Sequence, residues 1–75
     1  MPNRIGPLPF RKVKRALLCL GFHVERQVGS HVVFQHHDGR VVVVPHHARE
    51  ELQVGFLKRV FKDAGIAWAD FAAEL

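Results

Sequence analysis

Cysteine is nearly absent from this chain. Cys19 stands alone among 75 residues, so no internal disulfide can form and no thiolate metal cluster can assemble. That usage suits a reducing, cytoplasmic setting. Long apolar runs are missing as well. The valine run Val41 to Val44 is far too short to span a bilayer, so no membrane association is expected. Met1-Pro2-Asn3-Arg4 lacks the apolar core of a secretory signal. There is no internal repeat and no low-complexity segment. Acidic residues are scarce at the front: none precedes Glu25, whereas Arg4, Arg11, Lys12, Lys14 and Arg15 all do. Overall, 11 Lys and Arg face 7 Asp and Glu, a net charge of +4 before any of the 6 histidines is counted. A basic front half fits a phosphate-bearing partner. Charge alone fits a solvated helix face equally well.

What is present suffices for one small domain, residues 1–75. A chain of this length buries only about 60% of the surface it exposes when unfolded, which leaves no room for a deep cofactor cleft. Three of the 4 prolines lie between Met1 and Pro9, which reads as an irregular lead-in. A helix is predicted to start near Pro9, with Phe10, Val13, Ala16, Leu17 and Leu20 as its apolar stripe. Gly21 stops it, and Phe22 supplies the apolar contact of a glycine cap. Cys19, at the helix end, reads as a small packing residue rather than a nucleophile.

A strand follows from Phe22 to Val28. Phe22, Val24 and Val28 alternate with His23, Glu25 and Gln27, and Arg26 interrupts the apolar side. Gly29-Ser30 is the turn into a second strand, His31 to His36 or His37. Asp38-Gly39 signals a hairpin, and Arg40 to Val44 is the third strand, ended by Pro45. A two-residue turn at Asp38-Gly39 sets His31 opposite His46 and puts Val32, Phe34, Val41 and Val43 on the core face. The other face then carries His31, Val33, Val42, Val44 and His46, and is apolar enough to receive a partner. A bulged three-residue loop instead sets His31 opposite Pro45. His46 to Gln53 is a polar connection. A second helix is predicted from about Val54 to Ala64, with Phe56, Leu57, Val60, Phe61 and Ala64 buried and Lys58, Arg59 and Lys62 outside. Gly65-Ile66 repeats the glycine stop. Trp68 and Phe71 anchor a short terminal helix. The class is α+β, in the order α-β-β-β-α, with a three-stranded antiparallel meander and both helices on one face.

Gly29 and Ser30 deliver His31 to a strand end beside solvent. Histidine has its ordinary pKa nearest neutrality, so it can give or take a proton there. A metal site finds little support. His31 and His37 stand about 20 Å apart on a strand, His36 and His37 point to opposite faces, and only His31 with His46 or His47 could converge. No metal or cofactor is expected. RNA cleavage by the 2′-hydroxyl needs no metal. It needs a base, an acid and positive charge near the phosphorane. His31 is the candidate base. His46 or His47 is a candidate acid or phosphate ligand. Lys12, Lys14, Arg15, Lys58, Arg59 and Lys62 are candidates to hold the RNA backbone.

Several stretches, taken together and in order, carry a resemblance. They are Leu20-Gly21-Phe22, Gly29-Ser30-His31-Val32-Val33-Phe34, Asp38-Gly39-Arg40, Val42-Val43-Val44-Pro45-His46-His47, and Gly55-Phe56-Leu57 through Lys62-Asp63-Ala64-Gly65-Ile66. Across about Phe10 to Phe71 the chain resembles the HicA toxin family. The resemblance implies a fold like a double-stranded-RNA-binding domain and the activity of an mRNA interferase, an endoribonuclease toxin of a type II toxin–antitoxin system. It assigns the catalytic role to His31 and matches His47 to a family histidine two residues after the strand-ending proline. His46 is an extra histidine. Phe56 stands where relatives commonly carry a small polar residue. The implied partners are mRNA and a HicB-type antitoxin that blocks the active site in an oligomeric complex. A non-catalytic RNA-binding or protein-interaction module of the same fold is the other reading.

Overall fold

A computed structural model describes residues 5–47 and 50–75. The first four residues of the lead-in, Arg4 among them, and residues 48–49 of the connection lie outside the described residues. The elements in chain order are β1 (Leu8–Pro9), α1 (Phe10–Cys19), β2 (Phe22–Val28), β3 (His31–His36), β4 (Val41–Pro45), β5 (Glu51–Leu52), α2 (Val54–Ala64) and α3 (Trp68–Ala72).

The first helix follows its apolar spacing. Phe10, Val13, Ala16 and Leu17 are buried, while Arg11, Lys12, Lys14 and Arg15 face solvent. The Leu20 N–H closes the last turn on the Ala16 and Leu17 carbonyls. Gly21 then turns the chain at φ 95°. A Cβ there would meet the His36 Nε2 atom at 2.7 Å, so both the backbone angle and the neighbour demand glycine. Cys19 is exposed, which corrects its reading as a packing residue: it falls off the stripe that faces the core.

Strands β2, β3 and β4 form an antiparallel sheet in that order. The β3–β4 hairpin takes the bulged three-residue loop. The His36 N–H donates to the Arg40 carbonyl at 2.8 Å and the Gly39 N–H to the His36 carbonyl at 2.9 Å, with Gly39 at φ 98°. His31 therefore pairs with Pro45, Val32 with Val44 and Phe34 with Val42. A one-residue slip turns every side chain of a strand to the other face. Val42 and Val44 are thus in the core, whereas Val41 and Val43 are 49% and 45% exposed. The face assignment made from a two-residue turn is reversed for β4.

A bulge at Glu25 does the same to β2. Val24 pairs with Phe34, but the register shifts before Arg26, and Val28 pairs with His31. Val24 and Val28, expected together, therefore lie on opposite faces. The open face of the sheet carries Val28 beside His31, then Val33 and Val43, and the core face receives the helices.

The core gathers Val32, Phe34, Val42 and Val44 from the sheet, Val13 and Leu17 from α1, Leu57 and Val60 from α2, and Phe71 from α3. In α2, Leu57, Val60, Phe61 and Ala64 are buried as the stripe predicts. Phe56 is the exception: it is 40% exposed, at the edge of the stripe. Gly65 closes α2 in the left-handed conformation, and the Ile66 N–H reaches back to the Phe61 carbonyl. Trp68 and Phe71 both pack on Phe61, with ring centroids at 5.6 and 4.7 Å.

One pairing had no sequence signal. Leu8 pairs with Leu52 and Pro9 with Glu51 in a two-residue ladder. It draws the lead-in and the connection together and buries Leu52.

Candidate active site at the start of the central strand

Val28 and His31 pair across the Gly29-Ser30 turn. Gly29 takes φ 59°, which lets two residues reverse the chain. The Gln27 side-chain amide donates to the Gly29 carbonyl at 3.0 Å, and the Ser30 carbonyl accepts the His46 N–H. The turn is therefore held from both neighbouring strands, and His31 leaves it exposed on the open face.

His31 lines a cavity of about 330 Å³ with Val41, Val43, Phe56, Arg59, Val60 and Asp63. Strand β4 supplies Val41 and Val43, and α2 supplies Phe56, Arg59, Val60 and Asp63. An imidazole, a guanidinium and a carboxylate thus share one open, partly apolar recess. Arg59 and Asp63 stand one helical turn apart and share a face of α2. Of the cations named from sequence, Arg59 is the one that lines this recess. Lys58 and Lys62 are exposed on α2, and Lys12, Lys14 and Arg15 on α1. Asp63 and Phe56 escaped the sequence reading as site residues. The four-residue step from Arg59 was the available signal for Asp63. Nothing in the sequence placed Phe56 beside His31.

His46 and His47 go elsewhere. The His46 ring lies on Phe10, with centroids 4.0 Å apart and planes 7° from parallel. Both histidines line a second cavity, of about 260 Å³, with Pro9, Phe10, Arg11, Glu50 and Glu51. The His46 N–H bond to Ser30 keeps its backbone close to the His31 turn, while its ring lies against Phe10 of α1.

The remaining histidines sit apart from both cavities. His36 is buried, edge-on to Phe22 with centroids 5.0 Å apart, and its Nδ1 lies 3.1 Å from Asp38 Oδ1. His37 is exposed and contacts the His36 ring. His23 is exposed on β2. Among the described residues no group of three or more His, Cys, Asp or Glu side chains could hold a metal ion. No described helix is long and apolar enough to cross a membrane.

Residues 10–66 match a family model described as "HicA toxin of bacterial toxin-antitoxin". The matched span runs from the first residue of α1 to the residue after the α2 glycine cap, and it includes both cavities except Pro9. A search of curated proteins finds no match.

Proposed function

Since the chain belongs to the HicA toxin family, the toxin half of toxin–antitoxin pairs, we propose that it is a metal-independent endoribonuclease that cleaves mRNA with His31 as its catalytic residue. The observation that carries this reading is the shared recess of His31 and Arg59. It sets an imidazole, which can take and give a proton, beside a permanent positive charge. His31 takes the proton of a ribose 2′-hydroxyl, and the freed oxygen attacks the adjacent phosphorus. Arg59 stabilises the extra negative charge of the phosphorane. The bond from phosphorus to the 5′-oxygen breaks, leaving a 2′,3′-cyclic phosphate. Water, which the open recess admits, protonates the departing 5′-oxygen. Lys58 and Lys62 from α2, with Lys12, Lys14 and Arg15 from α1, hold the flanking phosphates. Gly29 and Ser30 hold the turn that presents His31.

Family membership brings an antitoxin partner. We assign it to the HicB type and place its contact on the open sheet face, where Val28, Val41 and Val43 are exposed beside His31. A partner seated there covers the catalytic residue and apolar surface together. The resulting complex is an oligomer of both chains in the cytoplasm.

The test is incubation of the purified protein with a defined single-stranded RNA in EDTA, beside the His31→Ala variant, followed by end analysis. Wild type is expected to cut and leave cyclic phosphate ends. The variant should lose at least about 100-fold in rate with an unchanged melting temperature, since an exposed side chain contributes little packing. Equal cutting by both removes His31 from the mechanism. Binding without cutting by either protein supports a non-catalytic RNA-binding module instead.

A further inference from the structure

The cavity at the start of α1 takes no part in the reaction above. Its floor is aromatic: Phe10 is 7% exposed, and His46 lies flat upon it. His46 is itself exposed and lines the recess. Arg11, Glu50 and Glu51 also line the cavity. The volume, about 260 Å³, lies just under the range of about 300 Å³ upward for pockets that enclose a whole ligand. It suits a single flat ring.

We infer that this cavity is a base-binding subsite for single-stranded RNA and that it favours guanine. The inference rests on the proposed ribonuclease function. An extruded base stacks on the imidazole of His46, as bases do on aromatic side chains in single-strand binders. Arg11 takes the neighbouring phosphate. The carboxylates of Glu50 and Glu51 only accept hydrogen bonds when ionised, so they reject a phosphate in the cavity itself and select a base edge rich in donors. Guanine offers two adjacent donors there, N1–H and the exocyclic N2 amine. Pro45 pairs with His31 and His46 follows Pro45, so the two backbones lie within about 10 Å. Their side chains turn to different sides, so an RNA strand that reaches both sites passes around the end of β4. The role given to His46 is thus recognition of a base rather than proton transfer.

Fluorescence anisotropy with labelled RNA decamers tests this, on a His31→Ala background that keeps the RNA intact. One decamer is all uridine and the other carries a single central guanosine. The guanosine decamer is expected to bind more tightly. His46→Ala should weaken its binding by about 5- to 150-fold, whereas His46→Phe, which keeps a stacking ring, should stay within about 3-fold of the parent. Combined Glu50→Gln and Glu51→Gln substitution, which leaves one acceptor oxygen on each side chain in place of two, should weaken the guanosine preference and leave uridine binding intact. Parent-like binding by His46→Ala, or equal losses in Ala and Phe variants, overturns the subsite while the ribonuclease proposal stands. Should His46→Ala fail to fold, an unchanged guanosine preference in the double Gln variant overturns it. If the parent binds neither decamer, the subsite falls, and the ribonuclease proposal is decided by wild-type cutting.

Discussion

Asp38, at the tip of the β3–β4 hairpin, holds the arginine that ties together parts of the chain distant in sequence. The Arg40 N–H donates to its Oδ1 at 3.1 Å, and Arg40 Nε donates to its Oδ2 at 2.9 Å. The same guanidinium donates to the Ala64 carbonyl and lies 5.2 Å over the Phe22 ring, so one arginine pins the hairpin to the end of α2. These contacts hold the Asp38 carboxyl below its ordinary value. The Arg40 backbone N–H is the largest cause, opposed by partial desolvation and aided by the Arg40 side chain. A carboxyl whose folded pKa is depressed contributes stability above its unfolded pKa, about 3.9, and loses it as pH falls through the folded value. Melting temperatures measured from pH 7 down to pH 2 should therefore show wild type above Asp38→Asn at neutral pH, with the two curves converging below about pH 4. A gap that persists unchanged at pH 2 would show that the carboxylate's charge contributes nothing. At this scale the exposed place of His31 at a strand start was legible from the glycine turn and the β-branched run after it, which is local chemistry, while its catalytic role came only from the resemblance carried by the whole ordered set of stretches. The stacking of His46 on Phe10 was not, since 36 positions separate them in the sequence.

The elements themselves were largely visible as patterns. The α1 and α2 stripes, the glycine stops and the Asp38-Gly39 reversal all follow from residue spacing and backbone permission. Register was harder. The hairpin loop has three residues rather than two, and Glu25 is extruded from β2. Each device shifts side-chain alternation by one position. A run of four valines carries no pattern of its own, so only the pairing of β4 with β3 decides which two are buried. That assignment can be measured. Val42→Ala should cost about 2 kcal/mol, since Val42 is 2% exposed and loses both burial and packing. For a chain of this size that is a fall of roughly 8–16 °C in melting temperature. Val43→Ala, at a half-exposed site, should cost under about 0.5 kcal/mol. Equal losses at both positions would contradict the pairing of Val42 with Phe34.

Over the whole molecule, charge is distributed by the same two helices that build the core. Their apolar stripes turn inward and leave Lys12, Lys14 and Arg15 on α1 and Lys58, Arg59 and Lys62 on α2 exposed. If these cations hold RNA phosphates, affinity should fall steeply with salt. Replacing Lys12, Lys14 and Arg15 together by Gln should lower the slope of log K against log salt by about 2, at roughly 0.7 per phosphate on a single strand. An unchanged slope would make the α1 cations a solvated face with no part in binding. The β1–β5 ladder belongs to this scale too. It joins the segment before α1 to the segment before α2, and both flank the His46 cavity. Two-residue strands, one of them ending in proline, have neither the length nor the alternation that marks a strand in a sequence.

The α-β-β-β-α order, the buried stripe of each helix, the glycine stops, the placement of His31 after a glycine turn and the likeness to HicA toxins were all determined by the amino-acid sequence by itself. Each depends on residues within about ten positions of one another, or on their fixed order along the chain. Tertiary structure alone decided which valines face the core, that Val24 and Val28 part company, that Arg59 and Asp63 meet His31, and that His46 turns from His31 to Phe10. Those outcomes depend on how one strand slides against another and on where a helix comes to rest on a sheet. Alternative registers satisfy the same local preferences, and only the burial of Phe34, Val42 and Val44 beneath the helices chooses between them.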